Sequence, residues 1–252
     1  MQTVLITGGS SGIGKQMVYT FAEAGYNVCF TYRSGKSKSE EIIHELGSKS
    51  VHAFYWDASD KKSLEKLVSE LPSIDILINN AGLGSATVEN ITKDIFEQDS
   101  KLLLVNAVAP LWLIRKLLPS MKKNGGKIIN IASVGGGITQ FPGFHLADGM
   151  SKAAMVFMTR QLAAEMAHEP VDVFAICPGA TETPMFGKST LDHLDIDQKK
   201  ELIQKLPLNR LINPKEIAEI ALFLSSDKGK VLRGSVLDAS LGLGVNPGLL
   251  QK

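Results

Sequence analysis

Cysteine is scarce in this chain: Cys29 and Cys177 are the only two among 252 residues. Each sits inside an apolar run, and together they have neither metal-ligand spacing nor the spacing of a redox pair. A disulfide scaffold, a thiolate metal site and a dithiol centre are therefore set aside, and two buried thiols in a reducing compartment are expected, with no metal. Net charge is scarce as well. The 27 basic and 26 acidic residues sum to +1 and are spread along the chain, so no field favours nucleic acid or an anionic membrane. A small-molecule substrate, neutral or anionic, is the expected partner. The most apolar stretch, 107–114, is interrupted by Pro110 and closed by Arg115, which reads as too short to span a bilayer. No basic segment with a cleavage site precedes the first apolar run at Val4, so a cytoplasmic protein without a signal peptide is expected. With 44% hydrophobic and 21% charged residues, the chain falls outside the disordered class and can bury a sizeable core.

What is present is alternation. Short apolar runs at 4–6, 27–32, 51–56, 74–78, 127–131, 171–176 and 235–237 read as strands. Helical patterns fall between them, to Ala24 before Gly25, up to Leu46 before Gly47, and over 61–70, 95–121, 149–167 and 215–224. Pro110 predicts a bend or break within the longest of these. Buried strands separated by helices imply a doubly wound parallel sheet with helices on both faces, a three-layer α/β/α architecture in one domain over 1–252.

In such a sheet, ligands bind at the carboxyl ends of the strands, near the point where strand order reverses. The first loop there is Thr7-Gly8-Gly9-Ser10-Ser11-Gly12-Ile13-Gly14. Gly8, Gly12 and Gly14 let the backbone approach a pyrophosphate, and the amides and dipole of the following helix favour its charge. A merely tight, ligand-free turn is the plainer alternative. The loop's position at the first strand-to-helix turn of an alternating chain favours the dinucleotide.

These residues resemble the cofactor loop of the Rossmann-type short-chain dehydrogenase/reductase family, and the resemblance runs along essentially the whole chain. Asn79-Asn80-Ala81-Gly82 is similar to the family's fourth-strand motif, and Pro178-Gly179 with Thr183 to its segment beside the nicotinamide. Leu206-Pro207-Leu208-Asn209-Arg210 through Phe223-Leu224-Ser225-Ser226-Asp227 is similar to its C-terminal pattern. The resemblance implies a cofactor held by Gly8, Ser10, Ser11, Gly12, Ile13 and Gly14 at the diphosphate. It places Asp57 and Ala58 at the adenine, Asn80, Ala81 and Gly82 in the middle, and Lys152, Pro178, Gly179, Thr181 and Thr183 at the nicotinamide end. It further implies a substrate lid over 184–212 and a homodimer or homotetramer formed through the long helices. For Asp57, a turn or helix cap is the plainer role. At the end of the second strand an acid would bind the ribose hydroxyls of NAD(H), whereas a base accommodates the extra phosphate of NADP(H). Tyr32-Arg33-Ser34 is followed by Lys36 and Lys38, and no acid appears until Glu40. NADP(H) is therefore favoured over NAD(H), the alternative being a solvated basic loop.

The catalytic set implied by the resemblance is Asn106, Ser133 and Lys152, with a tyrosine four residues before the lysine. Asp148 stands there instead. In the family the tyrosine hydroxyl exchanges the proton on the substrate oxygen, the serine holds that oxygen, the lysine lowers the tyrosine's pKa and binds ribose, and the asparagine supports a water chain. Asp148 reads as a structural N-cap of the helix over 149–167 or, at i, i+4 from Lys152, as half of an ion pair on one helical face. A carboxylate beside an ammonium or a helix N-terminus is expected below its ordinary pKa of about 3.9, which makes a poor general acid. Its reach is shorter than a phenol's by roughly 3 Å. The alternatives left open are an oxidoreductase with an atypical proton relay on a small carbonyl or alcohol, a catalytically silent dinucleotide-binding regulatory or assembly subunit, and a redox-neutral lyase or isomerase with Asp148 as base. His145, expected in the loop before the helix, is a second proton source, since imidazoles exchange protons near neutral pH.

Overall fold

The computed structural model describes residues 1–246. The strands are β1 (Thr3–Ile6), β2 (Asn27–Tyr32), β3 (Val51–Tyr55), β4 (Ile76–Asn79), β5 (Gly126–Ile131), β6 (Val171–Pro178) and β7 (Val236–Ala239). Between them run α1 (Gly12–Glu23), α2 (Lys36–Leu46), α3 (Lys61–Glu70), α4 (Ser85–Ile91), α5 (Ile95–Leu103), α6 (Ala109–Asn124), the irregular α7 (Val134–Gly137), α8 (Leu146–Glu165), α9 (Pro184–Ser189), α10 (Ile196–Lys205) and α11 (Pro214–Ser225). All seven strands pair in parallel in the order β3-β2-β1-β4-β5-β6-β7. Strand order reverses between β1 and β4, so the loops after these two strands border one crevice.

Side chains alternate across each strand and divide the core in two. Leu5, Cys29, Leu77, Ile128 and Val173 face a layer that includes Leu64 and Leu67 of α3, Leu113 of α6 and Leu162 of α8. Val4, Ile6, Val28, Phe30, Ile78 and Ile176 face Met17 and Phe21 of α1, Ile42 of α2 and Ala221 of α11. Both faces are covered, which is why the central strands read as unbroken apolar runs.

The break expected at Pro110 takes another form. Residues 104–108 form a widened π-helical turn, in which the Ala109 N–H donates to the carbonyl of Leu104, and the helix continues from α5 into α6. A proline cannot donate to the carbonyl four residues back, and a wider turn absorbs that loss without ending the helix. The continuous helix over 95–124 is, by length and composition, apolar enough to cross a membrane, so the reading of too short a run is corrected. Its buried Leu102, Val105, Leu113, Ile114 and Leu117 belong to the core packed on the sheet. Helix α4 escaped the sequence pattern, being seven residues long with Val88 as its one buried side chain.

Candidate active site

The loop after β1 is built around contacts that exclude side chains. Gly8 has φ +70°, and a Cβ there would lie 3.0 Å from Ala81 Cα. A Cβ on Gly14 would lie 2.3 Å from the Gly8 carbonyl oxygen and 2.5 Å from Asn80 Nδ2, so Gly14 fixes how closely α1 approaches the strand ends. Thr7 joins the two crevice loops: its Oγ1 accepts from the Asn80 and Ala81 amides, both at 2.9 Å, while Asn80 Nδ2 donates to the Thr7 carbonyl at 2.9 Å. Ser11, the N-cap of α1, makes no side-chain cap bond, and no acid stands in the helix's first turn. The amides at this helix start are left for an anion, and the loop's shape and donors fit a diphosphate.

From this loop opens a cleft of about 800 Å³. Gly8, Ser10, Ser11, Gly12 and Ile13 line one part of it, and Arg33 and Ala58 another. Asn80, Ala81 and Gly82 also line it, as do Pro178, Gly179, Thr181 and Thr183 on the β6 side. A Cβ on Gly12 would touch Thr183 Cγ2 at 3.3 Å, so that wall closes directly against the glycine loop. Ser133, Asp148 and Lys152 line the same cleft. Three expected residues are set back from the lining: Gly14, Asp57 and Asn106. Asp57 has the plainer role of a turn, its Oδ1 accepting from Ser59 N at 2.9 Å and Ser59 Oγ at 2.6 Å. Partial burial works to raise its pKa, but the Ser59 bonds and nearby Arg33 outweigh it and hold the carboxyl below its ordinary value. Of the expected lid over 184–212, only the part up to Thr190 reaches the cleft, while α10 stays outside it.

Trp56, Thr87, Glu89 and Phe144 line the cleft with no motif to announce them, while Met185, Phe186 and Lys188 of α9 line it from within the expected lid. Phe144 is positioned by glycines, since a Cβ on Gly135 or Gly149 would meet its ring at 3.3 or 3.4 Å.

At the reacting end, α5–α6, β5 and α8 converge. The π-helical turn presents Asn106, 2% exposed, whose Oδ1 accepts from Leu83 N at 2.7 Å and whose Nδ2 donates to the Leu83 carbonyl at 2.9 Å and to Ser151 Oγ at 3.1 Å. A Cβ on Gly82 would lie 3.2 Å from Asn106 Oδ1 and 3.7 Å from Lys152 Nζ, so these three residues crowd one corner. Ser133 caps α7, accepting from Gly135 N at 3.2 Å.

Asp148 departs from expectation twice. It is the third residue of α8, the N-cap being His145, and it makes no contact ion pair with Lys152 among the described residues. Its Oδ1 is buried without a hydrogen-bond partner. Burial pushes the carboxyl above its ordinary pKa, against the opposing pull of Lys152 and His145. The expectation of a lowered pKa is thus reversed, because removal of water outweighs one nearby ammonium. Lys152 is pushed down by its own burial, with Asp148 and Cys177 pulling the other way. His145 Nε2 stands 4.0 Å from Asp99 Oδ1 of α5, and its Nδ1 is buried and unpartnered.

A fully parallel sheet with a glycine-rich first turn at its reversal point defines an α/β domain of the Rossmann type. Residues 8–244 match the family model described as Enoyl-(Acyl carrier protein) reductase, and the chain belongs to the short-chain dehydrogenase/reductase family. It is 32% identical over 250 residues to a 3-oxoacyl-[acyl-carrier-protein] reductase, FabG, of Staphylococcus aureus, covering 96% of this chain and 98% of the relative. It is 34% identical over 263 residues to the oxidoreductase UcpA of Salmonella typhimurium, covering 97% and 98%. Among solved structures it is similar to an actinorhodin polyketide ketoreductase variant with NADPH, at TM-score 0.85 and 25% identity over 96% of this chain and 97% of that one. It is also similar to a 3-ketoacyl-(acyl-carrier-protein) reductase from Brucella melitensis with NADH, at TM-score 0.79 and 29% identity over 96% and 97%.

Proposed function

We propose that this protein is an NADP(H)-dependent oxidoreductase that reduces a small carbonyl compound, or oxidises the corresponding alcohol, with Asp148 in the place of the family's tyrosine. The observation that carries this reading is a single cleft lined both by the glycine loop and by Ser133, Asp148 and Lys152. The α1 amides and Ser10 to Ile13 would hold the diphosphate, and Arg33, on the cleft wall without an acid beside it in sequence, the extra phosphate of NADP(H). When bound, the dinucleotide supplies or takes up a hydride. The chain's own part is the proton. Ser133 hydrogen-bonds the substrate oxygen, Lys152 orients the cofactor ribose, and Asp148, kept protonatable by burial, exchanges the proton on that oxygen. Related ketoreductases suggest 3-oxoacyl thioesters as the first substrates to try. A second copy of this chain is the proposed partner, covering exposed Phe96 and Phe157, which are 80% and 69% exposed.

Fluorescence titration with NADPH and NADH is the direct test. We expect NADPH to bind more tightly, and Arg33→Ser to weaken NADPH by about tenfold, the effect of losing about 1.4 kcal/mol, while leaving NADH nearly unchanged. Asp148→Asn is expected to abolish most turnover. If the wild-type protein binds neither dinucleotide, the cofactor reading fails. If it binds NADPH but reduces no carbonyl, the protein is a dinucleotide-binding subunit or a redox-neutral enzyme.

A further inference from the structure

Two of the five described side-chain atoms that are buried without a partner sit one turn apart at the start of α8, Asp148 Oδ1 and His145 Nδ1. Both residues line the cleft. A buried polar group without a partner is disfavoured, and two such atoms on one wall of the cleft point to that wall as a place where a polar atom of a substrate is received. On its other side, His145 turns Nε2 towards Asp99 Oδ1 at 4.0 Å, and that carboxylate is 46% exposed. The remaining charged or titratable groups coupled to this corner are Lys152 on α8, Cys177 on β6 facing Lys152, and Asp238 on β7 behind Cys177. His145 is the one imidazole among them.

We infer that Asp148 and His145 form a two-step proton relay, oriented by Asp99, which serves the substrate oxygen in place of a tyrosine. The inference rests on the oxidoreductase reading above and names the route by which its proton arrives. In reduction the carbonyl carbon accepts the hydride as the C–O π bond breaks, so the carbonyl is reduced and the dinucleotide oxidised. The oxygen takes the proton of the Asp148 carboxyl, leaving a carboxylate. That carboxylate takes a proton from Nδ1 of the His145 imidazolium, directly or through one bridging oxygen, and the neutral ring regains its proton from water as product leaves. One hydride and one proton reach the carbonyl, and oxidation runs the same steps backwards. Asp99 acts as a positioning residue: its carboxylate, 4.0 Å from Nε2, attracts that edge of the ring and leaves Nδ1 free for the relay. The imidazole thereby stands one helical turn from a carboxyl whose burial favours its protonated form.

The test has two arms on the full-length chain. In the first, the C2 proton of His145 is followed by NMR against pH without substrate, and assigned by its loss in His145→Gln from the signals of the five histidines. Asp99→Asn is expected to move its titration midpoint down by about half a unit or more, because an anion that favours the imidazolium is removed. An unmoved midpoint in Asp99→Asn overturns the orienting role given to Asp99. In the second arm, His145→Gln is expected to keep its NADPH affinity and far-ultraviolet circular dichroism. Its kcat should fall by about 100-fold, within the range for losing a general acid, with little change in KM and a flattened pH profile. Added imidazole should restore part of the rate in His145→Ala. Wild-type reduction with undiminished kcat in His145→Gln across pH removes the relay alone. Absence of reduction in the wild-type protein removes the oxidoreductase reading and the relay with it.

Discussion

Replacing Gly14 by alanine sets two well-measured effects against each other. In an ordinary helix the exchange stabilises by about 1 kcal/mol, since alanine loses less backbone freedom. Here the new methyl would land 2.3 Å from the Gly8 carbonyl oxygen and 2.5 Å from Asn80 Nδ2, about an ångström inside the roughly 3.5 Å at which atoms pack comfortably. Overpacking of this kind costs about 1–3 kcal/mol. The upper end applies, because the struck atom is backbone rather than the tip of a flexible chain. Displacing Asn80 also strains its bond to the Thr7 carbonyl, worth about 1 kcal/mol. The sum is a net loss of about 3 kcal/mol, or a fall in Tm of roughly 6–12 °C for a chain of this size. Relief of the clash must carry α1 away from the strand ends, so NADPH affinity should fall by more than tenfold. Gly187→Ala is the matched control: it too lies in a helix, yet its nearest neighbour would be Asp192 Oδ1 at 3.8 Å, and it should be neutral or stabilising by up to about 1 kcal/mol. Urea denaturation and NADPH fluorescence on the three proteins decide the matter. A Gly14→Ala protein as stable as wild type, with unchanged NADPH binding, would refute the argument that this glycine sets the loop.

Asp148→Asn is expected to stabilise the fold at neutral pH. A carboxyl whose pKa is raised on folding binds more protons in the native state, so wild-type stability falls as pH rises from the ordinary carboxylate range through the folded value. The gain should therefore shrink towards about pH 4, and thermal melts showing an equal gain at both ends would contradict it. Lys127→Met should destabilise by about 2–3 kcal/mol in urea, below the roughly 3–5 of a fully broken buried pair. Lys127 Nζ lies 3.1 Å from both Asp172 Oδ2 and the Ser226 carbonyl, but Arg233 Nε stays 2.9 Å from Asp172 Oδ1. Loss of NADPH binding in that variant would be unexpected, since Lys127 and Asp172 sit at the amino ends of their strands. Burial pushes both Cys29 and Cys177 up to about 11, so a thiol reagent at pH 8 should label neither in the native protein and both after unfolding. Rapid labelling of Cys177 in the folded state would show that the corner behind Lys152 opens.

The sheet was legible because its central strands are covered on both faces and written as apolar runs. Val4 to Ile6 and Val171 to Ile176 could hardly be anything else in an alternating chain. The loop around Gly8 was equally legible, since a strand, a glycine turn and a helix follow one another within a dozen residues. Helix α4 was not, because one buried valine in seven residues leaves no period to detect. The widened turn at Asn106 was hidden for a different reason. Pro110 announced that the regular ladder must fail nearby, but whether a helix breaks, bends or widens depends on what packs around it. Here Leu102, Leu113 and Ile114 hold both halves to the same sheet, so the chain keeps its course and the surplus residue turns Asn106 towards Leu83 and Ser151.

Asp148 shows where spacing stops being informative. Four residues from a lysine on a helix, it reads as half of an ion pair, and that inference is sound for an exposed helix. The cleft-facing side of the start of α8 is shielded, although Leu146 and Met150 are exposed: Phe144 packs over Gly149, Ala147 is buried, and Lys152 lies close to Asn106 and Gly82. Withdrawing water from a carboxylate raises its pKa, and a neighbouring ammonium that is itself being desolvated offsets only part of that rise. The sequence contains the two charges and their separation but nothing about the solvent between them, and that solvent decides the sign. With the sign reversed, a residue that reads as an inert anion becomes a carboxyl that holds its proton more tightly than usual, on the cleft wall it shares with Ser133, which is the premise of the proton role proposed for it.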